Sequence, residues 1–205
     1  MIVGLVFILI DIDMEVVLMK RIFTFIFLIL FLTAPYAMSA TVENVTLPDK
    51  YKVDDYSLLL NGTALRKKFI VKVYAGGFYT PFKISEVDKA INPEIPKAIR
   101  MHFIHKSVSG DKIQKGYTDV YEKDGFDYKK SEAAQNFLKL FSFEIKKDDT
   151  LDLIFTDNGD MRVVYNSKLI GTVNSKTLCS ATLKAYFGAN SIPGLKDGLL
   201  GLEQN

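Results

Sequence analysis

Few residues in this 205-residue chain carry side chains suited to covalent or metal chemistry. The only two histidines, His102 and His105, lie three apart in an alternating segment. Odd spacing on a strand sends side chains to opposite faces, so the two imidazoles do not share a metal. Neither a metal nor another cofactor is expected. The single cysteine, Cys179, rules out an internal disulfide and has no histidine near it in any nucleophile motif. It reads as a small buried hydrophobe. Arg66 and Tyr74 differ in kind. They stand eight residues apart, an even spacing that puts both on one face of a strand if no bulge intervenes. A guanidinium offers paired donors to two oxygens, which suits a carboxylate or a developing oxyanion.

The composition narrows the partners. With 48 % apolar and 24 % charged residues, the chain can build a sizeable core. A net charge of +2 leaves no electrostatic footprint for nucleic acid. Fifteen Phe and ten Tyr against no Trp point to an aromatic interior.

The N-terminus reads as an export signal. Met19-Lys20-Arg21 is followed by an apolar run from Ile22 to Leu32, then by Ala34 to Ala40 with small residues at Ala37 and Ser39. A basic start, a short apolar stretch and a small-residue exit are the parts of a secretory signal peptide. The run falls short of the roughly 20 residues a bilayer span takes. Residues 1–40 are therefore assigned to a signal peptide, with Met19 as the candidate true start, and residues 41–205 to the mature domain. This predicts a periplasmic or secreted protein with no stable membrane anchor after cleavage.

The elements that must position Arg66 and Tyr74 follow from periodicity. Asn61-Gly62 reads as a tight turn, and Ala64–Thr80 beyond it as one long strand with period-two alternation. Gly76-Gly77 within it suggests a bulge or a close approach. Ser85 caps a short helix that Asn92-Pro93 ends, and Lys97–His105 alternates again. Ser109 and Ser131 cap two amphipathic helices, the first carrying Ile113, Tyr117, Val120 and Tyr121 at helical spacing. Leu151–Thr156, Met161–Tyr165 and Leu169–Val173 form a meander turned at Asn158-Gly159 and Asn166-Ser167. A helix over about Ser175–Phe187 closes at Gly188. This order predicts an α+β domain, an antiparallel sheet with helices on one face.

Three segments resemble the chalcone isomerase-like family. Leu60 to Arg66, followed by Lys68 to Tyr79, looks like its N-terminal motif of a glycine turn, an arginine and a long strand. Asp152–Val173 looks like its strand–turn–strand. Ala185-Tyr186-Phe187-Gly188 through Pro193 and Leu199-Leu200-Gly201 looks like its C-terminal helix and tail. The resemblance spans about residues 56–202 and is nearest to bacterial periplasmic members. It implies an open-faced β-sandwich with a ligand cleft between the large sheet and the helical layer.

The resemblance also implies roles. Arg66 matches the cleft arginine, which stabilises an anionic oxygen in plant chalcone isomerases and holds a carboxylate in the fatty-acid-binding branch. Tyr74 matches the strand hydroxyl, and in the fatty-acid binders it would join the arginine on the carboxylate. The enzymatic members carry a tyrosine and an asparagine at the start of the first long helix. Here those positions fall on Ser109 and Gly116, which counts against catalysis. The leading expectation is thus a cleft for a small apolar carboxylate such as a fatty acid, held by Arg66 and Tyr74. The alternatives are an isomerase or lyase acting on a phenolic enone, and an envelope interaction protein that takes no ligand.

Overall fold

The structure is a computed structural model and describes residue 21 and residues 40–202. The expected signal segment therefore lies outside the described residues except at Arg21 and Ala40, as does the alternative start at Met19. A small hairpin of β1 (Ala40–Val42) and β2 (Val45–Leu47) leads into β3 (Lys50–Val53), β4 (Tyr56–Lys68) and β5 (Val71–Thr80). Then come α1 (Val87–Ile91), β6 (Lys97–Phe103), β7 (Ser107–Val108), α2 (Gly110–Lys123), α3 (Glu132–Lys139) and β8 (Ile145–Lys146). The meander β9 (Thr150–Phe155), β10 (Asp160–Tyr165) and β11 (Lys168–Asn174) precedes α4 (Lys176–Phe187) and α5 (Lys196–Leu199).

Seven strands make one antiparallel sheet in the order β11-β10-β9-β6-β5-β4-β3. The excursion from β6 through α2 and α3 brings β9 back beside β6, so the helices must cross one face. Alternation decides which side chains they cover. Ile99, Met101 and Phe103 of β6, with Leu151, Leu153 and Phe155 of β9, join the helical aromatics in the main core. Ala98 and Ile154 point the other way, into a smaller cluster with Val53, Leu58 and Tyr79. The expected α+β sheet-and-helix architecture is what forms.

Local chemistry explains most of the framework. Ser131 and Ser175 accept hydrogen bonds from the amides of Ala134 and Leu178, so both helices start at capped serines. Ser109 precedes α2 without a side-chain cap bond, and α1 is preceded by Glu86 rather than Ser85. Asn166 and Ser167 both take left-handed φ, +46° and +66°, as a two-residue hairpin turn asks.

Two expectations about the first long hairpin were wrong, and the reasons bear on the site. Asn61-Gly62 is not a turn. It lies inside β4, where the pairing steps from Leu60 opposite Tyr79 to Gly62 opposite Phe78 and leaves Asn61 as a bulge. The Asn61 amide donates to the carbonyls of Ile84 at 2.8 Å and Leu199 at 2.9 Å, and its oxygen accepts from the Ile84 amide at 2.7 Å. Gly62 is there because a Cβ would overlap the carbonyl oxygens of Gly198 and Leu199. The motif docks α5 on the sheet. The real turn is Phe69-Ile70, so Ala64–Thr80 is two antiparallel strands rather than one. Gly76-Gly77 carries no bulge but does sit under close neighbours. A Cβ at Gly77 would stand 3.0 Å from the Tyr79 ring and 3.2 Å from Leu47 and Leu60.

Candidate ligand-binding site

The β4–β5 pairing sets Arg66 directly opposite Tyr74. Directly opposed residues project to the same side of a sheet, with Cβ atoms about 4.5–5.5 Å apart. The two therefore share a face as cross-strand partners, not as even-spaced residues of one strand. Between Arg66 and Lys67 the register steps from Tyr74 to Lys72, which makes Val73 a bulge residue. A bulge re-aims side chains, and here the sequence neighbours Val73 and Tyr74 both face one cavity.

That cavity holds about 640 Å³ between the sheet and the helices, within the usual range for small-molecule sites. Its floor is buried and largely apolar, formed by Met101, Val108, Tyr117, Val120 and Tyr186, with Tyr74 buried on the wall beside them. Arg66 is half-buried on its wall. The rim is exposed and basic, with Lys68, Lys112, Lys115 and Lys123. Asp119 is the one carboxylate among the lining residues, and it is engaged by Lys115 at 2.7 Å. Polarity thus rises from floor to mouth, as an amphiphile with an anionic end would require.

Hydrogen bonding shows which donors remain for a ligand. The Tyr117 and Tyr186 hydroxyls lie 2.7 Å apart, and the Tyr186 hydroxyl donates toward the Met101 sulfur at 3.6 Å. Either hydroxyl can be the donor of the bond between them, and both are engaged. The Tyr74 hydroxyl has no hydrogen-bond partner among the described residues. Arg66 Nη1 donates to the carbonyl of Lys67 and, at 3.4 Å, to that of Pro193. Its Nε and Nη2 remain for a bidentate partner. Burial pushes all three phenols far up the pH scale, and Arg66 partly offsets this for Tyr74. They stay protonated at neutral pH and serve as neutral hydrogen-bond groups.

The other singled-out residues fall elsewhere. Ser109 is not among the cavity's lining residues, whereas Gly116 is, and a Cβ there would meet nothing within 4 Å. The wall is open at Gly116. His102 points to the other sheet face and lies 3.7 Å from Asp148, while His105, past the end of β6, lines the cavity. Cys179 is buried, and desolvation pushes its thiol up to about 11, so it is no thiolate nucleophile at neutral pH.

Tyr186, and the pairing of Tyr117 with it, were missed by the sequence reading. Tyr117 was visible as part of an apolar helical stripe. Nothing in the spacing revealed that it meets a tyrosine of α4 across the cavity floor.

The chain belongs to the chalcone isomerase-like family, whose model matches residues 39–201. Among solved structures it is similar to the fatty-acid binding protein AtFAP1 of Arabidopsis thaliana. The likeness has a TM-score of 0.66 at 20 % identity and covers 80 % of this chain and 96 % of that one. No curated protein sequence matches the chain.

Proposed function

We propose that this protein binds a fatty acid or a similar apolar carboxylate, with the acyl chain on the cavity floor and the carboxylate between Arg66 and Tyr74. One observation carries the reading. A guanidinium with two free nitrogens and an unpartnered phenol oppose each other across β4 and β5, on the wall of an apolar cavity of about 640 Å³. A charge-assisted fork and a neutral donor together satisfy both carboxylate oxygens. The fold shared with a protein described as a fatty-acid binder is consistent with this.

Calorimetry with a series of acids and their methyl esters tests head and tail together. Each added methylene is expected to strengthen binding by up to ~0.8 kcal/mol until the floor is covered. Esters should bind clearly more weakly than their acids. Gly116→Leu, which sends a side chain into open cavity space, should shorten the longest acid accepted. Esters binding as well as acids would sink the clamp.

We further propose that the protein works outside the cytoplasm, on the strength of the Lys20–Ala40 pattern. The mature chain should begin between Met38 and Thr41. N-terminal sequencing of the exported fraction that returned Met1 or Met19 would overturn this.

A further inference from the structure

The turn between β4 and β5 is built against the usual rules for a soluble surface. Its two residues, Phe69 and Ile70, are 91 % and 94 % exposed. Val71 beside them is 42 % exposed. Phe69 holds φ at +55°, a left-handed conformation that costs a bulky residue strain and that glycine or asparagine would adopt freely. The strain thus projects two large apolar side chains into solvent where polar turn residues would serve folding better. An outlier of this kind points to a use outside the fold.

The surroundings indicate the partner. Lys67 stands opposite Lys72 in the ladder, and Lys68 opposite Val71, so three lysines flank the apolar tip. Lys72 pairs with Glu43, while Lys67 and Lys68 make no ion pair with a described residue. Lys112 and Lys123 extend the same charge along the cavity's rim, and they too have no described ion partner. Two apolar side chains flanked by cations match a bilayer with anionic headgroups. The side chains reach the acyl boundary while the lysines stay among the phosphates. The tip is also continuous with the cavity, because Lys68 and Phe69 line both.

We propose that the Phe69-Ile70 tip, flanked by Lys67, Lys68 and Lys72, docks peripherally on an anionic lipid bilayer and sets the cavity mouth at the membrane surface. A fatty acid partitions into that surface, so docking shortens its path between bilayer and cavity. The docking rests on the fatty-acid reading for its cargo alone; the contact itself needs only the tip.

The chain has no tryptophan, so Ile70→Trp in the full chain reports on the tip whatever the N-terminal segment does. Its emission should shift to the blue with vesicles of phosphatidylcholine containing phosphatidylglycerol, and brominated acyl chains should quench it. Phosphatidylcholine alone should give a weak response. Adding Lys67→Ala and Lys68→Ala should lower partitioning by roughly 25-fold, since each lysine at an anionic surface contributes about fivefold. Leu169→Trp, an exposed apolar position on β11, should not respond. No shift at the tip, a shift indifferent to the lysines, or an equal shift at position 169 would each overturn the proposal. So would a blue shift that grows with protein concentration without lipid, which would assign the tip to contact between copies. Acid binding measured without vesicles separates the two readings. A chain that binds acids yet shows no tip response loses only the docking, and one that docks yet binds no acid loses only the cargo.

Discussion

Arg66→Ala is expected to weaken fatty-acid binding by roughly 10- to 150-fold, because a hydrogen bond to a charged group contributes about 1.5–3 kcal/mol. The geometry says why the loss should fall on the headgroup alone. Arg66 stands on the cavity wall with Nε and Nη2 free, whereas the floor that takes the tail is built by Met101, Val108, Tyr117, Val120 and Tyr186. Methyl esters should therefore bind the variant and the parent alike. Tyr74→Phe removes one hydroxyl and should cost less, about tenfold. Because the two residues are directly opposed, their effects should not add. With the guanidinium gone the carboxylate loses its position, and the hydroxyl then contributes less. Calorimetry on the two single variants and the double variant measures that coupling. Arg66→Ala leaving acid affinity unchanged would remove the arginine from the site. Arg66 is half-exposed and pairs only with backbone carbonyls, so thermal unfolding should move little and separate lost binding from lost folding.

Much of this architecture was legible wherever local chemistry and the final fold ask for the same residues. Asn158-Gly159 and Asn166-Ser167 supply the positive φ that their hairpins need, at Gly159, Asn166 and Ser167, and the meander forms where the alternation placed it. Ser131 and Ser175 cap helices because their oxygens satisfy free amides. The β4–β5 hairpin was illegible for two separate reasons. Asn61-Gly62 has the composition of a turn, yet the residue types that suit a turn also suit a bulge under a closely docked helix. A polar amide can bond two passing carbonyls, and a missing Cβ lets α5 approach. Phe69-Ile70, conversely, turns the chain without any residue that favours turning, so periodicity ran straight through it.

The candidate site shows the same division. Arg66 and Tyr74 were placed on one face by even spacing along a single strand, and they do share a face, but through pairing across a hairpin. A fold-level resemblance carried their identity; local pattern did not carry their geometry. Tyr186 was out of reach because its contact with Tyr117 joins residues 69 apart through the packing of α2 on α4. Amphipathic spacing predicts that such residues are buried, and it is silent on which buried hydroxyls meet.

Lys97→Met is expected to destabilise the domain by about 1–3 kcal/mol for each buried carbonyl it leaves without a donor. Lys97 is fully buried at the start of β6, where its ammonium donates to the carbonyls of Lys89 at 3.0 Å, Ala90 at 2.9 Å and Asn92 at 2.7 Å. These carbonyls close the C-terminus of α1, where no further turn of helix supplies amides. Methionine has a similar length and fills the space, so the loss isolates the orphaned carbonyls of Lys89 and Ala90 rather than a cavity, while that of Asn92 keeps the Ile95 amide at 3.4 Å. A pH dependence separates this account from simple repacking. Desolvation pushes the amine down to about 7 in the folded chain, against 10.5 as its ordinary value. Between those limits the unfolded chain holds a proton that the folded chain has released. Stability of the parent must therefore rise with pH across that window. Methionine does not titrate, so the gap between parent and variant should widen from pH 7 toward pH 10. Urea unfolding of both proteins across that range measures it. A gap that stayed flat would show that Lys97 keeps its proton throughout, held by its three carbonyls, while a gap under about 1 kcal/mol would show that water or α1 itself replaces the lost donors.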